Sequence, residues 1–202
     1  MSARHFALAI TGASGAIYGL RLGEELLRSG ARVSMLITAA GFAVLKEERG
    51  LDWAGAASVL DELRGYYRCD CAGLDYYAED DFFSPIASGS SAPDAMIVAP
   101  CSMGTLSRIS SGTSGNLLER SADVMLKEGR PLVLVPRETP LNAIHLEHML
   151  ALARLGVRIV PAMPAFYQHP ESLDDLVNFV VGKVLDNIGV EHSLFRRWGN
   201  QC

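Results

Sequence analysis

Short apolar runs, each bounded by Gly, Pro or polar residues, recur along the 202-residue chain and constrain its fold more than any other feature. Each run is about as long as one strand and too short for a helix. Runs that are apolar throughout, without alternation, are typical of strands buried on both faces of a parallel sheet. The predicted strands are Phe6–Ile10, Val33–Thr38, Ala95–Ala99, Leu132–Val135 and Val157–Val160.

Helical patterns separate most of these strands. The clearest runs from Leu173 to Ile188, with apolar residues three, four and seven apart, after a Pro170-Glu-Ser172 start. Others are Ala16 to Leu27, Glu119 to Lys127 and Ile144 to Leu155. Alternating strands and helices predict an α/β fold: a three-layer, doubly wound parallel sheet of the Rossmann or flavodoxin-like type, with right-handed crossovers, in a single domain over 1–202.

Residues 66–94 interrupt this alternation. Paired aromatic residues are scattered there among Asp, Gly and Ser, and the segment ends in a Ser/Gly/Pro turn. A long excursion in a compact domain is typical of a lid or an oligomer contact, and we predict one of these roles.

Composition limits the partners. The formal charge of -5 provides no overall attraction to nucleic acid or to an acidic membrane, so any anion site must be local. No apolar run reaches the roughly 18 residues of a membrane span, and Met1–His5 leads directly into a strand rather than a secretory signal, so we expect a cytoplasmic protein. Cys69 and Cys71 are too closely spaced for an ordinary zinc hairpin, and we predict no metal.

Polar loops follow two of the buried strands. Ala95–Ala99 continues into Pro100–Thr105, and Leu132–Val135 continues into Pro136-Arg137-Glu138. In sheets of this class ligands lie at the carboxyl ends of the strands. The sequence therefore predicts that the functional site, with groups suited to anions, lies at this edge.

The first loop, Thr11–Gly15, has the strand–loop–helix arrangement that binds phosphate. It does not match G-x-G-x-x-G, and the end of the second strand carries no carboxylate for a ribose, so a nicotinamide dinucleotide is disfavoured. The motifs of a hydrolase elbow and a P-loop kinase are also missing.

A mononucleotide remains. Ser14, Thr38, Ser102 and Thr105 place short hydroxyl side chains at three strand ends, which suits flavin mononucleotide (FMN) better than a dinucleotide. The alternative, taken from this loop alone, is that Gly12 and Gly15 only form a tight turn and Ser14 caps the helix.

Several longer motifs, in order, closely resemble the flavin prenyltransferases, a family also known as 3-octaprenyl-4-hydroxybenzoate carboxy-lyases or phenylacrylic acid decarboxylases. The resemblance covers about residues 6–199. The motifs are Thr11-Gly-Ala-Ser-Gly-Ala16, Ala87-Ser-Gly-Ser-Ser-Ala-Pro93, Pro100-Cys-Ser-Met-Gly-Thr-Leu106, Asn116-Leu-Leu-Glu-Arg-Ser-Ala-Asp-Val124, Leu126-Lys-Glu128, Pro131-Leu-Val-Leu-Val-Pro-Arg-Glu138 and Arg197-Trp-Gly199.

The resemblance implies an activity. A dimethylallyl group from dimethylallyl phosphate would be joined to N5 and C6 of reduced FMN, giving prenylated FMN for a separate decarboxylase in ubiquinone or aromatic-acid metabolism. It also implies a flavodoxin-like homo-oligomer, commonly a dodecamer, with the site at a subunit junction. The choice between a monophosphate and a diphosphate donor stays open.

The same resemblance implies roles for individual residues. FMN binding is expected from Gly12, Ala13, Ser14, Thr38, Ser102, Met103, Gly104, Thr105 and Arg120. The substrate phosphate is expected to contact Lys127, Arg137, Tyr167 and Lys183, and an aromatic wall is expected from Phe82 and Trp198, the latter in a C-terminal tail of about 189–202. Proton transfer is assigned to Ser14, Glu48 and Glu138, with Glu47 an alternative to Glu48.

Basic side chains and Tyr would replace the Mg²⁺ ions of larger prenyltransferases, because Asp174-Asp175-Leu-Val-Asn178 lacks the last Asp of an Asp-rich motif and suits a helix start better. The chain departs from the resemblance at two positions. Phe82 stands where the family often has Trp, which is the stronger cation-stabilising ring. Lys183 stands where some relatives have Arg, and a lysine keeps the charge but cannot bind phosphate in the bidentate way that arginine does.

Two other functions share the fold. A flavin-dependent cysteine decarboxylase would need a catalytic His and a Pro-x-Met-Asn motif, and the sequence has neither. A non-catalytic FMN-binding regulatory subunit would leave Lys127, Arg137 and Tyr167 without a role.

Overall fold

A computed structural model describes residues 3–68 and 72–197. Its centre is a six-stranded sheet in the order β3-β2-β1-β4-β5-β6, and every neighbouring pair is parallel. The strands are β1 His5–Ile10, β2 Arg32–Ile37, β3 Leu74–Tyr76, β4 Ala95–Cys101, β5 Leu132–Pro136 and β6 Arg158–Ile159. The predicted doubly wound parallel α/β fold is confirmed.

One strand was missed. Residues 66–94 were predicted to interrupt the alternation, yet they contain β3, which pairs with β2 from Val33 to Met35. The segment also includes two short 3-10 turns, Pro85–Ala87 and Gly89–Ser91. A three-residue strand at the sheet edge is too short to give a periodic signal, and its Leu-Asp-Tyr sequence is not an apolar run.

Seven helices are found in the described residues. They are α1 Ala16–Arg28, α2 Ala39–Arg49, α3 Val59–Tyr67, α4 Met103–Ser110, α5 Leu117–Lys127, α6 Ala143–Arg154 and α7 Leu173–Ile188. Most begin at a Ser, Thr or Asn whose side chain accepts a hydrogen bond from the first turn, which satisfies a backbone N–H group that has no partner within the helix.

The sheet separates two hydrophobic cores. Phe6, Leu8 and Ile10 of β1 face the core that includes side chains of α1, α2, α3 and α7, whereas Ala7 and Ala9 face the core formed with α4, α5 and α6. Both faces of β1 are therefore buried, which explains its continuous apolar sequence. None of the helices in 3–68 and 72–197 is long and apolar enough to cross a membrane.

Helix α6 is covered on one side only. Of its predicted apolar positions Leu152 is fully buried, whereas Ile144 and the flanking Leu155 are 60% and 66% exposed. Leu146 and Leu150 add to this exposed apolar surface, and contiguous exposed apolar residues are typical of an interaction site.

The strand order reverses between β1 and β4, so their crossovers leave in opposite directions and open a crevice at the carboxyl edge. A buried hydroxyl joins the two strand ends there. Thr11 Oγ1 donates to the carbonyl oxygen of Pro100 at 2.7 Å and accepts from the backbone N–H of Ser102 at 2.8 Å. This contact fixes the first loop against the β4 loop.

Close packing of α1 on these strand ends leads to a stability prediction. A methyl group at Gly19 would meet the carbonyl oxygen of Ala99 and lie 2.6 Å from Cγ1 of Ile10. We expect Gly19→Ala to lower the free energy of unfolding by about 1–3 kcal/mol through overpacking. Gly65→Ala in α3 is the matched control, because a methyl group there meets no atom within 4 Å and Ala favours a helix by up to about 1 kcal/mol. Chemical denaturation measures both, and a Gly19→Ala protein as stable as Gly65→Ala would contradict the packing.

Candidate functional site

The loops after β1, β2, β4 and β5 lie at one edge of the sheet, because all four strands are parallel. The first two approach each other closely. A Cβ at Gly12 would lie 2.5 Å from Cβ of Ala40, and one at Gly41 would lie 2.6 Å from the carbonyl oxygen of Ile10. Only glycine fits at these two positions, so the backbones of the two loops form the floor of the site.

The N-terminus of α1 contacts a carboxylate of the protein itself. Glu48 at the end of α2 accepts hydrogen bonds of 3.0 Å from the backbone N–H groups of Gly15 and Ala16. Gly15 takes a left-handed conformation with φ 102° and precedes the helix without a side-chain cap. The alternative in which Ser14 caps α1 is therefore wrong. Glu48, rather than Glu47, is the residue that reaches this loop.

The N-terminus of α2 is also occupied. Thr38 Oγ1 accepts from the N–H of Gly41 at 3.0 Å, and the carboxylate of Glu79 accepts from the N–H of Ala39 at 3.1 Å. Glu79 belongs to the 66–94 excursion and also binds Asn116, the residue that precedes α5, at 2.8 Å. No motif pointed to Glu79, because its role depends on contacts between segments about 40 residues apart in sequence.

The N-terminus of α4 has a different environment. Ser102 Oγ accepts from the N–H of Thr105 at 3.2 Å and donates to Thr105 Oγ1 at 3.0 Å. Within residues 3–68 and 72–197, no carboxylate is hydrogen-bonded to the first turn of this helix. Arg108 Nη1 lies 3.6 Å from a Cβ built on Gly104, and Nε of the same guanidinium is paired with the buried carboxylate of Glu119. A helix N-terminus beside a cation favours a bound anion.

Arg137 joins the loop after β5 to the first loop. Its Nε donates to the carbonyl oxygen of Ser14 at 3.2 Å, and its backbone N–H donates to the carbonyl of Cys101 at 3.4 Å. Glu138 follows it, with its carboxylate accepting from the N–H of Thr139 at 3.0 Å. Ser14, Glu48, Arg137 and Glu138 therefore lie at the carboxyl edge, and their roles in binding and proton transfer stay predictions.

Lys127 lies elsewhere in this chain. It pairs with Glu128 at 3.0 Å, close to Gly89. Three residues later Arg130 lies 3.6 Å from Asp94, whose backbone N–H donates to the carbonyl of His5 at the start of β1. Lys127 is thus near the amino edge of the sheet. A six-residue strand at about 3.3 Å per residue puts roughly 20 Å between the two edges, which no side chain spans.

Arg120 lies on the same helix as Lys127. Its Nε donates to the carbonyl of Ala87 in the first 3-10 turn at 3.1 Å, and Nη1 pairs with Asp123 at 3.1 Å. The excursion therefore packs against α5 and fixes the direction of this side chain.

The remaining predicted residues lie near the C-terminal part of the chain or in the excursion. The ring centroids of Tyr167 and Phe179 are 5.9 Å apart, and Lys183 Nζ lies 3.9 Å from Asp186. Phe82 is 44% exposed in the excursion. Trp198 lies outside the described residues.

Cys101, the last residue of β4, is fully buried. Burial raises the pKa of its thiol to about 12, although a backbone hydrogen bond and the charge of Arg108 act in the opposite direction. A thiol in this state is a packing residue rather than a nucleophile. In the part of the chain that the structure describes, no three His, Cys, Asp or Glu side chains are grouped as metal ligands would be.

A doubly wound sheet with anion-binding loops at its switch point defines a nucleotide-binding protein of the flavodoxin-like class. The family model described as Flavoprotein matches residues 1–185. Flavin prenyltransferase UbiX of Halalkalibacterium halodurans is 54% identical over 97% of this chain and 94% of its own length. The chain therefore belongs to the flavoprotein family and, within it, to the flavin prenyltransferases.

Solved structures agree with this assignment. AnUbiX (PadA1) in complex with FMN and dimethylallyl pyrophosphate superimposes with a TM-score of 0.86 at 37% identity, covering 99% of this chain and 100% of that one. A dodecameric FMN-dependent Ubix-like decarboxylase from Escherichia coli O157:H7 gives 0.84 at 41% identity, covering 97% and 100%. The cysteine decarboxylase TvaF and the FMN-binding protein AtHal3, at 14% and 19% identity, share the fold alone. The two alternative functions are accordingly not favoured.

The buried thiol leads to a chemical prediction. Because its pKa is about 12, Cys101 carries almost no thiolate at pH 8, and we expect iodoacetamide to leave it unmodified in the native protein. Peptide mass mapping after labelling measures this, with the urea-unfolded protein as the control in which Cys101 is modified. Rapid native labelling would mean that the end of β4 is more open than the structure shows.

Proposed function

We propose that the protein is a flavin prenyltransferase that joins the dimethylallyl group of dimethylallyl phosphate to N5 and C6 of reduced FMN. The 54% identity to a flavin prenyltransferase over nearly the whole chain is the observation that carries this proposal. The prenylated FMN would serve a separate decarboxylase. We also propose a cytoplasmic location, since the Cys101 thiol is unpaired and free thiols suit a reducing compartment.

The carboxyl edge fits FMN. Reduced flavin would supply the nucleophilic N5 and C6. At this edge the N-termini of α1 and α2 already contact Glu48 and Glu79, whereas the first turn of α4 lies beside Arg108. We therefore assign the flavin phosphate to Ser102–Thr105, and the ring system to the floor formed by Gly12, Ala13, Ser14 and Thr38.

Side-chain cations would stabilise the departing phosphate. Arg137 projects from the carboxyl edge and is tied to the first loop by its bond to Ser14. Lys127, Arg120, Tyr167 and Lys183 would complete a basic pocket in which charge-assisted hydrogen bonds take over the task that Mg²⁺ performs in larger prenyltransferases. Phe82 and Trp198 would face the cationic allyl fragment.

Proton transfer would rest on the acids near the first loop. Glu48 is held at the α1 N-terminus by backbone N–H groups, which fixes its carboxylate next to Ser14. Glu138 follows Arg137 directly. A general acid or base must lie within hydrogen-bond reach of the proton it moves, and these residues border the proposed flavin floor.

The separation of Lys127 from Arg137 supports a shared site. Since they lie at opposite edges of one sheet, a second copy of the chain would have to supply Lys127 to the pocket that contains Arg137. The exposed apolar residues of α6 provide a surface on which copies can associate. A dodecameric relative is the precedent for the homo-oligomer that we propose.

The activity has a direct test. The protein is incubated anaerobically with reduced FMN and dimethylallyl phosphate, and the mass of the extracted flavin is measured by mass spectrometry. We expect a flavin heavier by one C5H8 unit. Arg137→Ala and Lys127→Ala should abolish the gain while FMN still binds, because they remove cations from the leaving phosphate.

Unmodified FMN from the wild-type protein under these conditions would refute the activity. Full activity in both variants would refute the phosphate assignment while leaving the activity intact. A parallel incubation with dimethylallyl diphosphate distinguishes the two donors.

The shared site has its own test. Arg137→Ala and Lys127→Ala chains are co-expressed with different tags, and mixed oligomers are purified through both. If each site takes Arg137 from one copy and Lys127 from another, about one quarter of the sites in a random mixture recover both residues. Measured activity should therefore reach about a quarter of the wild-type value, whereas a site formed within one chain would stay inactive.

A further inference from the structure

The segment Val190–Arg197 returns along α7 and packs on it at Gly182. A Cβ at Gly182 would lie 2.5 Å from Cε1 of Phe195 and 2.6 Å from Cε1 of His192. The side chain of His192 is 1% exposed, and its ring lies 5.1 Å from that of Phe195. We call residues 190–197 the C-terminal segment.

Hydrogen bonds define the tautomer of the buried His192. The backbone N–H of Leu194 donates to Nδ1 at 3.2 Å, so Nδ1 is an acceptor and carries no proton. The proton of the neutral ring is then on Nε2, which donates to Asp186 Oδ1 at 3.2 Å. One side of Asp186 is thus bound to the C-terminal segment through a fixed imidazole.

Asp186 also collects two cations. Arg197 donates to Oδ1 at 2.7 Å and to Oδ2 at 3.4 Å, and Lys183 Nζ lies 3.9 Å from Oδ2. Burial acts to raise the pKa of Asp186, but the hydrogen bonds from Arg197 and His192 and the charge of Arg197 outweigh it and hold that pKa below its ordinary value. Lys183 Nζ is also 5.8 Å from the Phe195 ring, so both contacts of the lysine lie in or beside the C-terminal segment.

Tyr167 is joined to the same segment. Its neighbour Gln168 binds the backbone of Arg196 twice, with Oε1 accepting from the N–H at 3.1 Å and Nε2 donating to the carbonyl. The rings of Tyr167, Phe179 and Phe195 form a row with centroid separations of 5.9 and 5.2 Å. Tyr167 lies in a loop and Lys183 lies in α7, and both are therefore held in place by contacts with the C-terminal segment.

We propose that Asp186 and Gln168 are positioning residues, which dock the C-terminal segment on α7 and thereby fix Lys183 and Tyr167 in the geometry that binds the substrate phosphate. This inference rests on the proposed function. It also explains why a carboxylate lies so close to a proposed phosphate ligand. The Asp186 carboxylate is 3.9 Å from Lys183 Nζ, where by its charge alone it would compete with the phosphate for the lysine. The positioning role also explains how a lysine, which has no fixed donor fork, is oriented.

The two explanations of Asp186 predict opposite signs. If Asp186 only competes with phosphate for Lys183, then Asp186→Asn should lower the KM for dimethylallyl phosphate. If it positions the lysine and the segment, the same change should raise that KM about tenfold, because charge-assisted bonds that hold the pocket are lost. FMN affinity should stay unchanged in the second case, since the flavin floor lies on other loops.

Steady-state prenylation and hydrogen exchange are measured on the full-length protein. In Asp186→Asn we expect the raised KM and faster exchange of the Leu194 and Arg196 amides, which bond to His192 and Gln168. Asp174→Asn makes the same charge change at an exposed position in the first turn of α7, and both readouts should stay at the wild-type value. Gln168→Ala tests the second contact without any change of charge and should raise the KM and speed exchange at Arg196.

The outcomes separate the two proposals. A wild-type protein that forms no prenylated flavin refutes the proposed function. Hydrogen exchange needs no turnover, so it still tests whether the C-terminal segment is docked on α7 through Asp186 and Gln168. An active wild type with an unchanged or lowered KM in Asp186→Asn and Gln168→Ala overturns the positioning roles. Exchange at Leu194 and Arg196 that is as slow in both variants as in the wild type overturns the role of Asp186 and Gln168 in docking the C-terminal segment.

Discussion

The contact of Thr11 with the loop after β4 is the constraint on which the site depends. One buried hydroxyl donates to Pro100 and accepts from Ser102, so it joins the ends of the two strands between which the sheet changes direction. The crevice at such a point is where open α/β sheets bind ligands. These two hydrogen bonds hold the residue before α4 against the start of the loop that precedes α1.

Carboxylates of the protein decide how the helix N-termini are used. Geometry alone would make α1, α2 and α4 equivalent anion sites. Glu48 and Glu79 occupy the first two, whereas no carboxylate of the described residues accepts a hydrogen bond from the first turn of α4, the helix to which we assign the flavin phosphate. Which helix N-terminus is free to bind an anion thus depends on which first-turn N–H groups already donate to a carboxylate of the protein.

Much of the fold could be predicted because a strand that is buried on both faces has a continuous apolar sequence, which can be recognised locally. β1, β2, β4 and β5 were found within about two residues of their ends, and the long α7 helix was found from its periodicity. β3 was missed because an edge strand of three residues needs no apolar run. The loops of Ser14, Arg137 and Glu138 lie at one edge, as the rule that parallel strands end together implies, and the roles of these residues stay predictions. Glu79, Gln168 and Asp186 gave no signal in the sequence.

The sequence by itself determined the class of sheet, the edge at which its polar loops lie and the family, since strand burial, glycine loops and long motifs are local properties of the chain. Tertiary structure alone decided which groups meet. It brought Glu48 to the α1 N-terminus, joined the C-terminal segment to Lys183 through Asp186, and placed Lys127 at the opposite edge from Arg137. Each of these depends on how crossovers and helix directions place residues that are distant in sequence, and no local pattern encodes that geometry.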